Sequence, residues 1–220
     1  MKKSFYLFFL LFSINPSIGQ EFGFFDYKDG RTIEIDGTTY LIGNRFEEKL
    51  DRFEYIFVEM WNAANKTEDG ICGEYLDGTT TCEPNDVSGI VIPREDYRRT
   101  IYNALRKAFT KTEIEEMSRY LNARISADVF VDASGKIQET RFAFYIYRDF
   151  VIQPEKIAVI DRELKKNLQF EVDAAKAGKF TFFRSAVHMP LSYYTNYMVE
   201  IELPYGGGLT PVDGKPAARP

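Results

Sequence analysis

The hydrophobic rhythm of the chain changes along its length. Arg31-Thr-Ile-Glu-Ile35 and Thr38-Thr-Tyr-Leu-Ile42 are runs of β-formers flanking Asp36-Gly37. Asp-Gly between such runs favours the primed turn whose twist matches its strands, so this stretch predicts a β-hairpin. Past Asn44 the spacing lengthens. Phe46, Leu50, Phe53, Phe57, Met60 or Trp61, and Ala64 recur at intervals of four and three, and Asn44 precedes Glu47 as an N-cap with an acid three residues on. That pattern predicts a helix of about 20 residues with one apolar stripe. Residues 65–93 lose periodicity and form a long polar segment of a length that is often functional. Tyr97, Ile101, Leu105 and Phe109 then fall four apart, which predicts a helix over 94–109. Thr110 and Thr112 each have an acid three residues on, Glu113 and Glu115, the capping-box start of a third helix over Ile114, Met117 and Leu121.

In the second half the period drops to two. Ile125, Ala127, Val129 and Val131 alternate with their neighbours, and Asp132-Ala-Ser-Gly135 is a turn with glycine where positive φ is cheap. The strand from Lys136 to Tyr147 is apolar on both sides at its far end: Phe142, Phe144 and Ile146 on one, Ala143, Tyr145 and Tyr147 on the other. Such a strand is either sandwiched between layers or keeps one face for a partner. Pro154 opens a helix striped by Ile157, Ile160, Leu164 and Leu168. Phe180–Tyr194 and Tyr197–Leu203 read as further strands, the second alternating Tyr197, Val199, Ile201 and Leu203 with Met198, Glu200 and Glu202. The fold class expected is α+β, an antiparallel sheet with packed helices and a βαβ-like C-terminal half.

The first residues form an address. Lys2 and Lys3 precede the apolar run Phe5–Phe12, which ends at Asn15-Pro16, well short of the ~20 apolar residues of a membrane span. Residues 1–19 read as a signal peptide cleaved before Gln20, leaving no transmembrane segment. The expected location is periplasmic or extracellular. Cleavage takes the net charge from −5 to −7, a balance that argues against nucleic acid, which needs a basic footprint. The mature chain divides into an N-terminal hairpin-and-helix part (20–122), a second part (123–203) and a Pro- and Gly-rich tail (204–220) expected to be disordered.

Export puts Cys72 and Cys82 in an oxidising compartment, where the sequence between them, turning at Asp77-Gly78, predicts a disulfide-stapled hairpin. Two Cys and one His exclude four-thiolate and poly-His metal sites, and no metal or cofactor is expected.

Within 123–203 the order of pieces becomes familiar. Val129-Phe130-Val131-Asp132 leads into Ser134-Gly135-Lys136-Ile137. A long strand and the helix Pro154–Leu168 follow, then Phe170, Ala174-Ala175-Lys176-Ala177-Gly178-Lys179, and a closing strand through Val187 and Met189-Pro190-Leu191. This resembles the TonB C-terminal domain. The resemblance implies a periplasmic α+β module that binds partners by strand addition at a sheet edge. The membrane helix and Pro-rich linker of TonB-like transducers have no counterpart here, so coupling to an inner-membrane motor is not implied, and the family carries no catalytic residue.

No nucleophile elbow, zinc-protease motif, P-loop or dinucleotide fingerprint occurs. His188 reads as a strand histidine facing a polar layer or solvent. Asp69, Glu74, Asp77, Glu83 and Asp86 make the long loop acidic, which fits a solvated surface, with Ca²⁺ or paired-acid glycan hydrolysis as alternatives. Tyr193, Tyr194, Tyr197 and Val199 are the candidate binding residues, placed to contact a partner near an edge strand. The function expected is a non-enzymatic, exported protein that binds a protein or peptide of the cell envelope. The alternatives are a carboxylate-based glycan hydrolase and a structural envelope component dimerising through the 46–64 helix.

Overall fold

The computed structural model describes residues 22–50, 53–68, 70–120 and 124–191. The expected signal segment 1–19, the tail 204–220 and the expected strand 197–203 lie outside them.

The first hairpin forms where its turn chemistry places it. Strand β1 (Thr32–Ile35) pairs with β2 (Thr38–Leu50), and Asp36 and Gly37 both take positive φ, 49° and 75°, as the primed turn requires. The helix expected over 46–64 is absent. That stretch is the rest of β2 and the next strand β3 (Phe53–Asn62), paired from Tyr40↔Asn62 to Leu50↔Phe53. The helical stripe omitted Ile56 and Val58. In the strand these join Met60 on one buried face, while Phe57 and Trp61 turn to the other. A run this rich in aromatic and β-branched residues suits a pleated surface, and a partner strand on either side outweighs the coincidental helical spacing.

The 65–93 segment holds short elements: the hairpin β4 (Gly73–Tyr75) and β5 (Thr80–Thr81), the turn of helix α1 (Pro84–Val87) and β6 (Val91–Pro93). Helix α2 (Tyr97–Ala108) follows, then α3 (Lys111–Met117), which starts at Thr110 with the reciprocal cap: Glu113 N–H donates to Thr110 Oγ1 at 3.3 Å and Thr110 N–H to Glu113 Oε2 at 2.8 Å. The second half runs β7 (Arg124–Asp132), β8 (Ile137–Tyr147), α4 (Pro154–Asn167), β9 (Phe170–Val172), α5 (Ala174–Ala177) and β10 (Phe180–Pro190).

Among the described residues the large sheet has eight strands in the order β1-β2-β3-β8-β7-β10-β4-β5, every pairing antiparallel, and β6 pairs β9 apart from it. β8 and β10 both run antiparallel to β7 and flank it on its two sides. β3 pairs β8 from Tyr55↔Tyr147 to Trp61↔Arg141, so the two parts of the chain share one sheet and one core.

The core face carries Val58, Met60, Ile125, Val129, Phe142, Phe144, Phe183 and Val187, all fully or nearly fully buried. α4 lies against β8 and packs on α2. Burying each such side chain stabilises by ~1.5–3 kcal/mol. Ion pairs join the helices: Lys107–Glu163 at 2.7 Å and Lys156–Glu113 at 2.6 Å. The turn after β7 is docked rather than free. Gly135 has φ +82°, and a Cβ there would stand 2.0 Å from the Phe170 carbonyl oxygen. The Phe170 N–H donates to the Gly135 carbonyl at 2.9 Å. Only glycine permits this close approach of backbone to backbone.

Candidate strand-addition edge

β10 is the last long strand of the sheet, and its two sides are covered unequally. Its inner edge pairs with β7 along Phe182–Pro190. Its outer edge pairs with β4 only from Phe180 to Phe183. The handover comes at Arg184, whose N–H donates to the Cys72 carbonyl at 2.7 Å. That bond fixes which residues point outward. Backbone groups alternate sides along a strand, so the N–H and C=O of Ala186 and His188 face out too. Both residues are exposed, and among the described residues β10 has no partner beyond β4 on this side.

A cavity of about 270 Å³ lies where β4 leaves the edge. Arg184, Ala186 and Asp128 form one side, with the Arg184 guanidinium 3.9 Å from the Asp128 carboxylate. Cys72, Val87 and Val91 supply apolar lining. The wall is held in place by the β4–β5 hairpin. Tyr75 stacks on Phe180 with ring centroids 4.6 Å apart, and Lys179 lies 5.1 Å from the centre of the Phe180 ring. Asp86 accepts from Thr81 Oγ1 at 2.6 Å and from Tyr75 Oη at 3.1 Å. These bonds, the one from Thr81 foremost, hold the Asp86 carboxyl below its ordinary value.

The expected Cys72–Cys82 bond is not formed in this structure. Both cysteines are free thiols, Cys72 buried and Cys82 exposed. The pairing Gly73↔Thr81 brings the two chain positions opposite each other, but the Cys72 side chain turns inward and its Sγ sits 3.4 Å from the Cys82 carbonyl oxygen. The sulfur meets a backbone acceptor there instead of the other sulfur.

His188 is exposed on β10, with Nδ1 3.3 Å from Ser126 Oγ on the neighbouring strand, as a strand histidine facing solvent should be. Of the loop acids, Asp77 caps its own turn, accepting from Thr79 N–H at 2.9 Å and Thr79 Oγ1 at 2.6 Å. Asp69, Tyr193, Tyr194, Tyr197 and Val199 lie outside the described residues. Among the described residues no group of three or more His, Cys, Asp or Glu is placed to hold a metal ion. No helix among them is long and apolar enough to cross a membrane.

The two apolar faces of β8 also find their places. Phe142, Phe144 and Ile146 are core. Tyr145, half-buried on the other face, meets Tyr55 and Phe57 with centroids 5.5 and 5.2 Å apart, and Arg141 lies 4.7 Å from the centre of the Trp61 ring. Sequence reasoning missed Arg184 and Ala186 as edge residues, with Asp128 beside them on β7. The alternation of Arg184 and Ala186 with Phe183, Ser185 and Val187 marks a strand, but no local signal tells an edge from a centre.

No family model matches the chain, and no curated protein matches it. A solved structure of a DUF5043 family protein from Bacteroides uniformis is similar in fold, with a TM-score of 0.52 and 22% identity, covering 78% of this chain and 95% of that one. The likeness supports the α+β architecture and extends to the fold alone.

Proposed function

We propose that this protein is an exported, non-enzymatic binding protein that captures an extended segment of an envelope protein or peptide by strand addition to the outer edge of β10. The observation that carries the reading is the run of outward backbone groups at Ala186 and His188, beside a cavity and beyond the end of β4. Edge addition draws affinity from main-chain hydrogen bonds and specificity from alternate side chains. An added strand would run beside a cavity lined by the apolar Val87 and Val91 and by Arg184. The preferred segment therefore combines apolar residues with acids. The order hairpin, helix, returning strand in β7–β8–α4–β10 supports the TonB-like reading of this half, and an edge-binding role is what that resemblance implies.

The test is Ala186→Pro in the full chain. The Ala186 N–H faces outward, so proline removes a donor for an incoming strand while leaving the β7 ladder intact, and proline is tolerated at such edge positions. Fluorescence anisotropy with labelled peptides that combine apolar and acidic residues should show binding to the wild-type chain and its loss in Ala186→Pro at unchanged melting temperature. Undiminished binding by the variant would remove β10 as the site.

A further inference from the structure

The outer edge of β10 is stopped at one end. β4 lies along it as far as Gly73, opposite Phe183, and the Cys72 carbonyl then takes the Arg184 N–H at 2.7 Å. A strand paired with Ala186 and His188 is therefore in line with β4, and the place opposite Arg184 already belongs to Cys72. An added chain must turn away there or end there. At that stop lie the cavity of about 270 Å³ and the Arg184 side chain. We propose that what this edge takes is the free C-terminus of an extended partner chain, its terminal carboxylate held at Arg184 and its last side chain in the cavity. This rests on the reading of β10 as a strand-accepting edge and names the part of the partner it accepts.

Direction, charge and size agree. Every strand pairing among the described residues is antiparallel. An antiparallel chain beside β10 runs from His188 toward Arg184, so its C-terminal end is the one that reaches the stop. With the last residue opposite Ala186, the outward Ala186 N–H donates to the terminal carboxylate, the kind of main-chain contact by which chain ends are captured. Arg184 stands on β10 itself, whereas Asp128 stands on β7, one strand farther from the edge, so an arriving end meets the cation first. The 3.9 Å contact between the two leaves guanidinium N–H donors for a second carboxylate. Lys176 adds a cation at the rim. Its Nζ is 3.5 Å from the carbonyl oxygen of Gly89, a lining residue, and 3.8 Å from Asp173. The cavity is smaller than the ~300–1,000 Å³ of small-molecule pockets, a size that suits a chain end with an apolar side chain beside Cys72, Val87 and Val91.

Retention of the labelled full chain on short random peptides tests the choice of chain end. The first pool is anchored by its N-termini and ends in free carboxylates. The second is the same pool ending in carboxamides, and the third is anchored by its C-termini. Retention on the first should exceed that on the other two by about tenfold or more, as the loss of a charge-assisted bond predicts. Arg184→Gln should erase the difference at unchanged melting temperature, and Ala186→Pro should abolish retention on the first pool. The comparison of carboxylate with carboxamide needs no variant, so it holds even where a substitution disturbs β10. Equal retention on the three pools, lost in Ala186→Pro, would overturn the terminus and leave the strand-accepting edge standing. Stronger retention on the third pool would overturn it in favour of an amino end at Asp128. A carboxylate preference that survives Arg184→Gln or Ala186→Pro would overturn it by moving the bound end off this edge. No retention on any pool would remove edge and terminus together.

Discussion

Helix α4 carries one carboxylate into the core, and its removal measures what holds helix and sheet together. Asp161 is 3% exposed. It accepts from Tyr40 Oη on β2 at 3.0 Å, from Thr140 Oγ1 on β8 at 2.5 Å and from Lys165 Nζ, one helical turn on, at 3.0 Å. In Asp161→Leu the three donors lose their acceptor together. Lys165 is 26% exposed and can turn to water. Tyr40 and Thr140, 2% and 1% exposed, cannot. Each orphaned buried hydroxyl costs about 1–3 kcal/mol, so the two together should destabilise by about 2–6 kcal/mol. At ~2–4 °C per kcal/mol for a domain of this size, the melting temperature should fall by roughly 4–24 °C. Replacing the whole set by apolar groups of similar shape removes the orphans. The triple variant Tyr40→Phe/Thr140→Val/Asp161→Leu should therefore recover most of the loss. Urea unfolding at neutral pH, comparing midpoints at equal slope, gives both values. A single variant that loses less than about 1 kcal/mol, or a triple variant no more stable than the single, would refute the claim that unsatisfied hydroxyls dominate the cost.

Gly135→Ala must accept both φ +82° and a Cβ 2.0 Å from the Phe170 oxygen, so it should lose about 3 kcal/mol or fail to fold, whereas Gly78→Ala, with φ +82° and no atom within 4 Å of its Cβ, should lose only about 1–2 kcal/mol by chemical denaturation. Burial pushes the Tyr147 hydroxyl up to about 12 from 10.0, and burial holds Tyr27 well above its ordinary value too. Their neutral forms thus stabilise fully below pH 10, and that contribution drains away as pH rises from 10 toward 12. Unfolding and tyrosinate absorbance should rise together over that interval, and a protein equally stable at both ends would contradict the assignment. Exposed Cys82 should attack a small-molecule disulfide oxidant first, and Cys72 should then displace the mixed disulfide, releasing the oxidant's two thiols. The oxidised chain should be lighter by two hydrogens and more stable by about 2–3 kcal/mol, and persistence of the mixed disulfide at Cys82 would show that Cys72 does not turn outward.

Local chemistry was legible where one short stretch settles the outcome. Asp36-Gly37 takes the positive φ values its hairpin needs, Thr110 and Glu113 cap each other, and Pro154 starts α4. In each case the decisive atoms lie within a few residues of one another, so neighbours in sequence carry the information. The period-two runs of the second half gave β7, β8 and β10 for the same reason. Residues 46–64 went the other way, because their apolar positions satisfy a helical stripe and a strand face alike. What separates the two is β8, some 80 residues on, whose pairing with β3 supplies hydrogen bonds and apolar cover that no local propensity contains. The β10 edge was illegible for a related cause. Whether Ala186 faces a neighbour or water depends on β4 ending at Gly73, and whether Arg184 meets Asp128 depends on the register of β7. The sequence by itself determined the turns, caps and alternations. Only the tertiary structure decided which strands lie side by side, and with them which backbone groups stay open, because strand order is a property of contacts between distant segments.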